Sequence, residues 1–167
     1  MGGKFSALVK TNQATLTDRV KNCIERSIFC WLATVDRNGE PHVSPREIFA
    51  AHEDTYFLIA NVFSPGSIRN IRGNPKVSVS FVDMFLQQGF KLQGQAMVVS
   101  PVDAVFKNIS QPLFLMANRE FPIHNIISIQ VEDVTPLIAP SYKLMPEVVP
   151  EAQARLLPGE DSVGHAG

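Results

Sequence analysis

Residues 60 to 81, ANVFSPGSIRNIRGNPKVSVSF, bring together the side chains best suited to chemistry. Ser64, Pro65, Gly66 and Ser67 stand just ahead of Arg69 and Arg72. The pattern reads as a strand end, a turn and a helix start. A helix start carries unpaired N–H groups and a partial positive charge. Hydroxyls and arginines beside it suit an anion, with phosphate the leading choice. Gly66 lets a ligand approach the backbone closely. The competing reading is an ordinary helix cap, with Ser64 as N-cap and Pro65 at the first helical position. Spacing alone leaves both open.

Other reactive constellations are missing from the sequence. It contains no paired-carboxylate signature and no Ser/His/Asp signature, and His42, His52, His124 and His165 are scattered without metal-ligand spacing. Cys23 and Cys30 lack a CxxC spacing and read as buried free thiols, which fit a reducing, cytoplasmic compartment. Fifteen basic side chains balance 16 acidic ones, for a net charge of −1, so a general nucleic-acid-binding field is not expected. Apolar runs fall short of a membrane helix, and no secretory h-region is expected at the N-terminus. The opening MGGKFS fits a myristoylation pattern and is read as coincidental. With 45% hydrophobic residues in 167, one globular domain is expected. Its expected extent is 1–145, with 146–167 as a tail or arm.

The elements that must position these residues follow from periodicity. Residues 15–27 predict a helix, with Leu16, Val20, Cys23 and Ile24 on one face. Residues 28–36 predict a strand, and Asn38-Gly39 predicts a tight primed hairpin. The returning strand covers 41–50 and needs an edge or bulge at Pro45. TYFLIAN is a third strand, and a helix over 65–73 ends at Gly73 and Asn74, before Pro75. KVSVSFVD is a fourth strand, and 89–100 a fifth, bent or bulged at Gly94. A helix is expected from Pro101 behind Ser100 as N-cap, broken by Pro112, and a final strand starts near His124. Six short antiparallel strands with bends predict a mainly β fold, a small barrel with peripheral helices.

The motif order resembles the FMN-binding split-barrel family related to pyridoxamine 5'-phosphate oxidase. The matching pieces are WLATVDRNGEPHVSP, YFLIANVFSPGSIRNIRGNPKVSVSFVD and GFKLQGQAMVV, in that order, and they span about residues 15 to 142. The resemblance implies a six-stranded antiparallel split β-barrel and a homodimer with FMN in clefts between subunits. It implies phosphate and ribityl contacts from Ser44, Pro45, Arg46 and Glu47, from Ile59, Ala60 and Asn61, and from Ser64, Gly66, Ser67, Arg69 and Asn70. It also implies that Gln88 and Lys91 approach the flavin ring. Gln87 and Gln88 either contact the polar edges of the ring or form the turn before the fifth strand, and Ser141 and Tyr142 are placed to fold over the cleft, with Tyr142 equally suited to anchor an interface. Many members carry Lys or Arg where this chain has Ser67. On that reading Ser67→Lys restores a cation and tightens FMN binding, while Arg46 or Arg69 compensates for it here.

The function implied is an FMN-dependent oxidoreductase acting on a small molecule, without nucleic acid or membrane as partner. Flavin chemistry resides in the cofactor, so the lack of an acid–base signature fits it. Two alternatives stay open: a non-catalytic flavin- or haem-binding protein, and a deazaflavin-dependent reductase. Pyridoxamine phosphate itself is not the expected substrate, because the oxidase's Arg- and His-bearing C-terminal segment is not recognisable.

Overall fold

The computed structural model describes residues 14–86, 88–117 and 122–137. Its elements run α1 (Asp18–Arg26), β1 (Cys30–Val35), β2 (Pro41–Arg46), β3 (Phe49–His52), β4 (Tyr56–Asn61), α2 (Pro65–Gly73), β5 (Lys76–Asp83), β6 (Gln88–Val99), α3 (Phe106–Ile109), α4 (Gln111–Met116) and β7 (Asn125–Leu137). All seven strands form one antiparallel sheet in the order β2-β1-β5-β6-β7-β4-β3.

Seven strands replace the six expected, because the segment 41–50 is two strands. Pro45 sits on edge strand β2 opposite Trp31, where its missing N–H costs no ladder bond to a second neighbour. After Arg46 the chain leaves β1 and, from Phe49, pairs with β4 instead. Since β2 and β3 are the two edges of the sheet, a two-residue link between them requires the edges to meet. The sheet therefore curls into a split barrel, and the Arg46–Phe49 crossing marks the split.

The Asn38-Gly39 turn forms, but with different geometry. Within this turn Gly39 alone has positive φ, at 87°. Its N–H donates to the Asp36 carbonyl at 3.2 Å, and the Asp36 N–H donates to the Glu40 carbonyl at 3.0 Å. This is a three-residue loop with a glycine bulge rather than a two-residue primed turn. The Asp36 carboxylate decides it by accepting the N–H groups of Asn38 and Glu40. Gly94 behaves as expected: the β6–β7 register shifts between Gln93 and Gly94, and a Cβ at 94 would fall on the Gln130 carbonyl oxygen. The expected helix at Pro101 does not form there. The Ser100 N–H donates to the Asp103 carboxylate, residues 101–105 turn, and the helices begin at Phe106. Pro112 lies in the first turn of α4, where its missing N–H is harmless.

Two apolar clusters hold the fold. Inside the barrel, Leu16, which lies just ahead of α1 rather than in it, joins Val20, Cys23 and Ile24 of α1 in one cluster with Leu32, Val79, Leu92 and Ile129. A row of rings, Phe49–Phe57–Phe81–Phe90, runs through the same space with centroids 5.7 to 6.2 Å apart. Outside it, α3 and α4 close the other face of β4 and β7 through Ile109, Leu113, Leu58 and Ile126. Both cysteines are free and buried, and burial pushes both thiols above their ordinary range. The expected tail at 146–167 and the boundary at 145 lie outside the described residues.

Candidate anion site at the barrel split

β2 alternates, so Ser44 and Arg46 turn inward while Val43 and Pro45 turn outward. The inward pair meets the end of β4 and the start of α2. Arg46 is the centre of the meeting. It is 7% exposed, and its Nη1 donates to Ser64 Oγ at 2.7 Å and, at a longer 3.4 Å, to Asn61 Oδ1. Its Nη2 donates to Ser67 Oγ at 2.8 Å. Ser44 Oγ lies 3.4 Å from Ser67 Oγ. Strand β2 and the β4–α2 bend, 15 to 21 residues further along the chain, thus converge on one guanidinium.

The Ser64 hydroxyl separates cap from cradle. Ser64 occupies the N-cap position of α2, yet its side chain makes no capping hydrogen bond to the helix. Its hydroxyl is taken by Arg46 instead. Pro65 does stand in the first turn, as the capping reading expected. Among the described residues, no atom outside the helix's own backbone lies within 4 Å of a Cβ placed on Gly66.

The electrostatics are unusual for a buried arginine. Among the described residues, no carboxylate forms an ion pair with Arg46. Its Nε is buried and has no hydrogen-bond partner among the described residues. Burial pulls the guanidinium below its ordinary pKa, and the nearby Cys30 opposes the shift. An arginine remains charged under such conditions. Burying a charge without a counter-charge is costly, and neutral hydroxyls repay only part of it. An anion would complete this environment. Arg46 and Ser64 also line a cleft of 310 Å³, together with Pro45, Glu47, Ile48, Ala60, Val62 and Phe63.

The remaining expected residues divide. Asn70 is buried, but its amide donates to Thr34 Oγ1 at 3.1 Å and holds α2 to β1. Ile59 is fully buried in the barrel core, and Ala60 lines the cleft from the other face of β4. Glu47 is exposed at the cleft rim. Arg69 and Arg72 are exposed on α2. Gln88 lies across the barrel, opposite Asp83, with its carbonyl accepting the Cys23 thiol at 3.4 Å. Lys91 stands on the outer face, in the lateral row Lys91–Ser80–Trp31–Pro45. Within one chain, neither Gln88 nor Lys91 joins the Arg46 cluster. Gln87, Ser141 and Tyr142 lie outside the described residues.

Sequence reasoning missed two supports. Asn125 accepts the Asn61 amide N–H at 2.9 Å, which turns the Asn61 oxygen toward Arg46. Thr34 receives Asn70. The signal for Asn125 is the β4–β7 register, which pairs it with Asn61 and which no local pattern reveals.

A family model for pyridoxamine 5'-phosphate oxidase matches residues 16–137. The chain belongs to this family. The pyridoxamine 5'-phosphate oxidase match covers α1 through β7, so it includes every residue of the Arg46 cluster. No curated protein matches the sequence. Solved structures share the fold. HupZ of Group A Streptococcus superposes with a TM-score of 0.63 at 23% identity, over 72% of this chain and 93% of its own. An FMN-binding protein from Syntrophomonas wolfei gives 0.63 at 17% identity, over 74% and 87%. An F420 reductase gives 0.52 at 20% identity, over 69% and 94%. These likenesses establish the split barrel of the family.

Proposed function

We propose that this protein binds FMN and works as a flavin-dependent oxidoreductase on a small molecule, with Arg46 as the main phosphate ligand. The carrying observation is the buried Arg46 guanidinium, held by Ser64 and Ser67 with no carboxylate partner among the described residues. The family match and an FMN-binding protein of the same fold support the flavin reading. In this assignment Arg46 supplies the charge that Ser67 lacks, because its Nη2 sits 2.8 Å from the Ser67 hydroxyl.

Each residue then has a physical task. Arg46 binds the phosphate with charge-assisted donors. Ser64 and Ser67 fix the guanidinium, and Ser64, which lines the cleft, turns its own hydroxyl toward the ligand. Asn125 fixes Asn61, and Asn61 steadies Arg46. Ile48, Ala60 and Val62 keep the cleft wall apolar and restrict water. Bound flavin would supply the two-electron chemistry.

The homodimer belongs to the same proposal. The outer face of β1 and β2 leaves Trp31 50% exposed and Val43 57% exposed. Pro45 lies on that face opposite Trp31 and also lines the Arg46 cleft. A second copy packed there would bury the apolar strip and border the site. Lys91 shares the face and would contribute in that setting.

Titrating the purified protein with FMN tests the reading, with flavin fluorescence quenching as readout. Saturable binding at about one FMN per chain is expected. An absence of saturation rejects it, and a Soret band after mixing with haem would favour the haem-binding alternative.

A further inference from the structure

We infer that Phe63 is the residue that recognises the planar part of the ligand whose phosphate Arg46 holds. This rests on the phosphate reading of Arg46 and extends it to the other end of the ligand.

Phe63 is 84% exposed and joins neither apolar cluster. An exposed aromatic is ordinary in isolation. The setting of Phe63 gives it a role. It lies on the bend between β4 and α2, with Asn61 before it and Ser64 directly after it. Both of these residues accept hydrogen bonds from the same Nη1 of Arg46. The bend is therefore tied at both ends to the buried guanidinium. Phe63 also lines the 310 Å³ cleft that opens beside Arg46.

The exposed Trp31 and Val43 differ, because they project from the outer sheet face and line no part of this cleft. An anion at Arg46 would sit next to the tether of Phe63. An organic phosphate with an aromatic body would then present that body at the cleft mouth, where the ring stands. The bend that carries the ring is held through Asn61 and Ser64, and ordering the ring itself on stacking costs little, since a phenylalanine has only two side-chain torsions. Phe63 would then discriminate among phosphates: those with a planar aromatic group gain from it, and plain sugar phosphates do not.

Three probes separate the contributions. FMN carries both groups, riboflavin only the rings, and ribose 5-phosphate only the phosphate. For Phe63→Ala we expect FMN and riboflavin each to bind about three- to tenfold more weakly. Ribose 5-phosphate, measured by competition against FMN, keeps its parent affinity. Phe63→Tyr keeps the parent affinity for all three. Sedimentation of Phe63→Ala controls for a role between subunits: unchanged association with weakened flavin binding supports the inference. Unchanged flavin affinity in Phe63→Ala overturns it, whether or not association changes. Equal weakening of ribose 5-phosphate also overturns it, since the change would then act on the anion site. A parent protein that binds no FMN removes the phosphate reading itself, a result distinct from both.

Discussion

Arg46 is the residue on which the site turns, and its surroundings reverse one expectation drawn from the family pattern. Counting back from Asn74-Pro75, Ser67 takes the place of a common cation, so by sequence Ser67→Lys is a restoration. Ser67 is, however, fully buried and 2.8 Å from the Arg46 guanidinium. A lysine there must fit into filled space and place a second cation beside the first. We predict that Ser67→Lys lowers stability by about 1–3 kcal/mol through overpacking, with charge repulsion adding to it, and leaves FMN affinity equal or weaker. Urea unfolding and a flavin titration check both parts, and tighter FMN binding by a stable variant would contradict this geometry. The sequence showed hydroxyls and arginines at 64–70 but not their partners. Ser64 and Ser67 are acceptors of a guanidinium from β2, a partner 18 and 21 residues away. Local patterns do not record such a contact.

At the scale of elements, barrel closure depends on two irregularities. One is the crossing after Arg46, and the other is the bulge at Gly94. A Cβ at Gly94 would collide with the backbone oxygen of Gln130, which cannot swing aside as a side-chain tip can. Gly94→Ala should therefore cost about 1–3 kcal/mol, read as a lower urea midpoint with little change in slope. An unchanged midpoint would mean that β6 and β7 slide to absorb the methyl. Gly94 was legible because a glycine inside an alternating strand marks a bulge, a bend or a close backbone approach. The split of 41–50 was half legible: Pro45 signalled an edge, but the change of partner after Arg46 depends on where β4 lies. The helix expected at Pro101 was misread, because Asp103 accepts the Ser100 N–H and stabilises a turn instead. The α1 helix followed its apolar spacing closely, as Val20, Cys23 and Ile24 are its buried residues.

For the whole molecule, the apolar outer face around Trp31 and the cleft around Arg46 share Pro45. Association and cofactor binding should thus be linked. We predict a homodimer with an interface on the order of 2,000 Å² in total. Trp31→Lys should weaken it without unfolding the chain, because the half-exposed Trp31 side chain lies outside the core. Sedimentation at low micromolar concentration checks this, and a parent protein that is already monomeric would refute the dimer. Phosphate recognition by Arg46 is tested most directly by one ratio, the affinity for FMN over that for riboflavin, compared between the parent, Arg46→Ala and Arg72→Ala. The parent and Arg72→Ala should prefer FMN by about tenfold or more, the scale of a charge-assisted hydrogen bond. In Arg46→Ala that preference should largely vanish, with riboflavin affinity nearly unchanged. A preference that survives intact in Arg46→Ala, or one that never existed in the parent, would contradict the assignment of this buried guanidinium to phosphate.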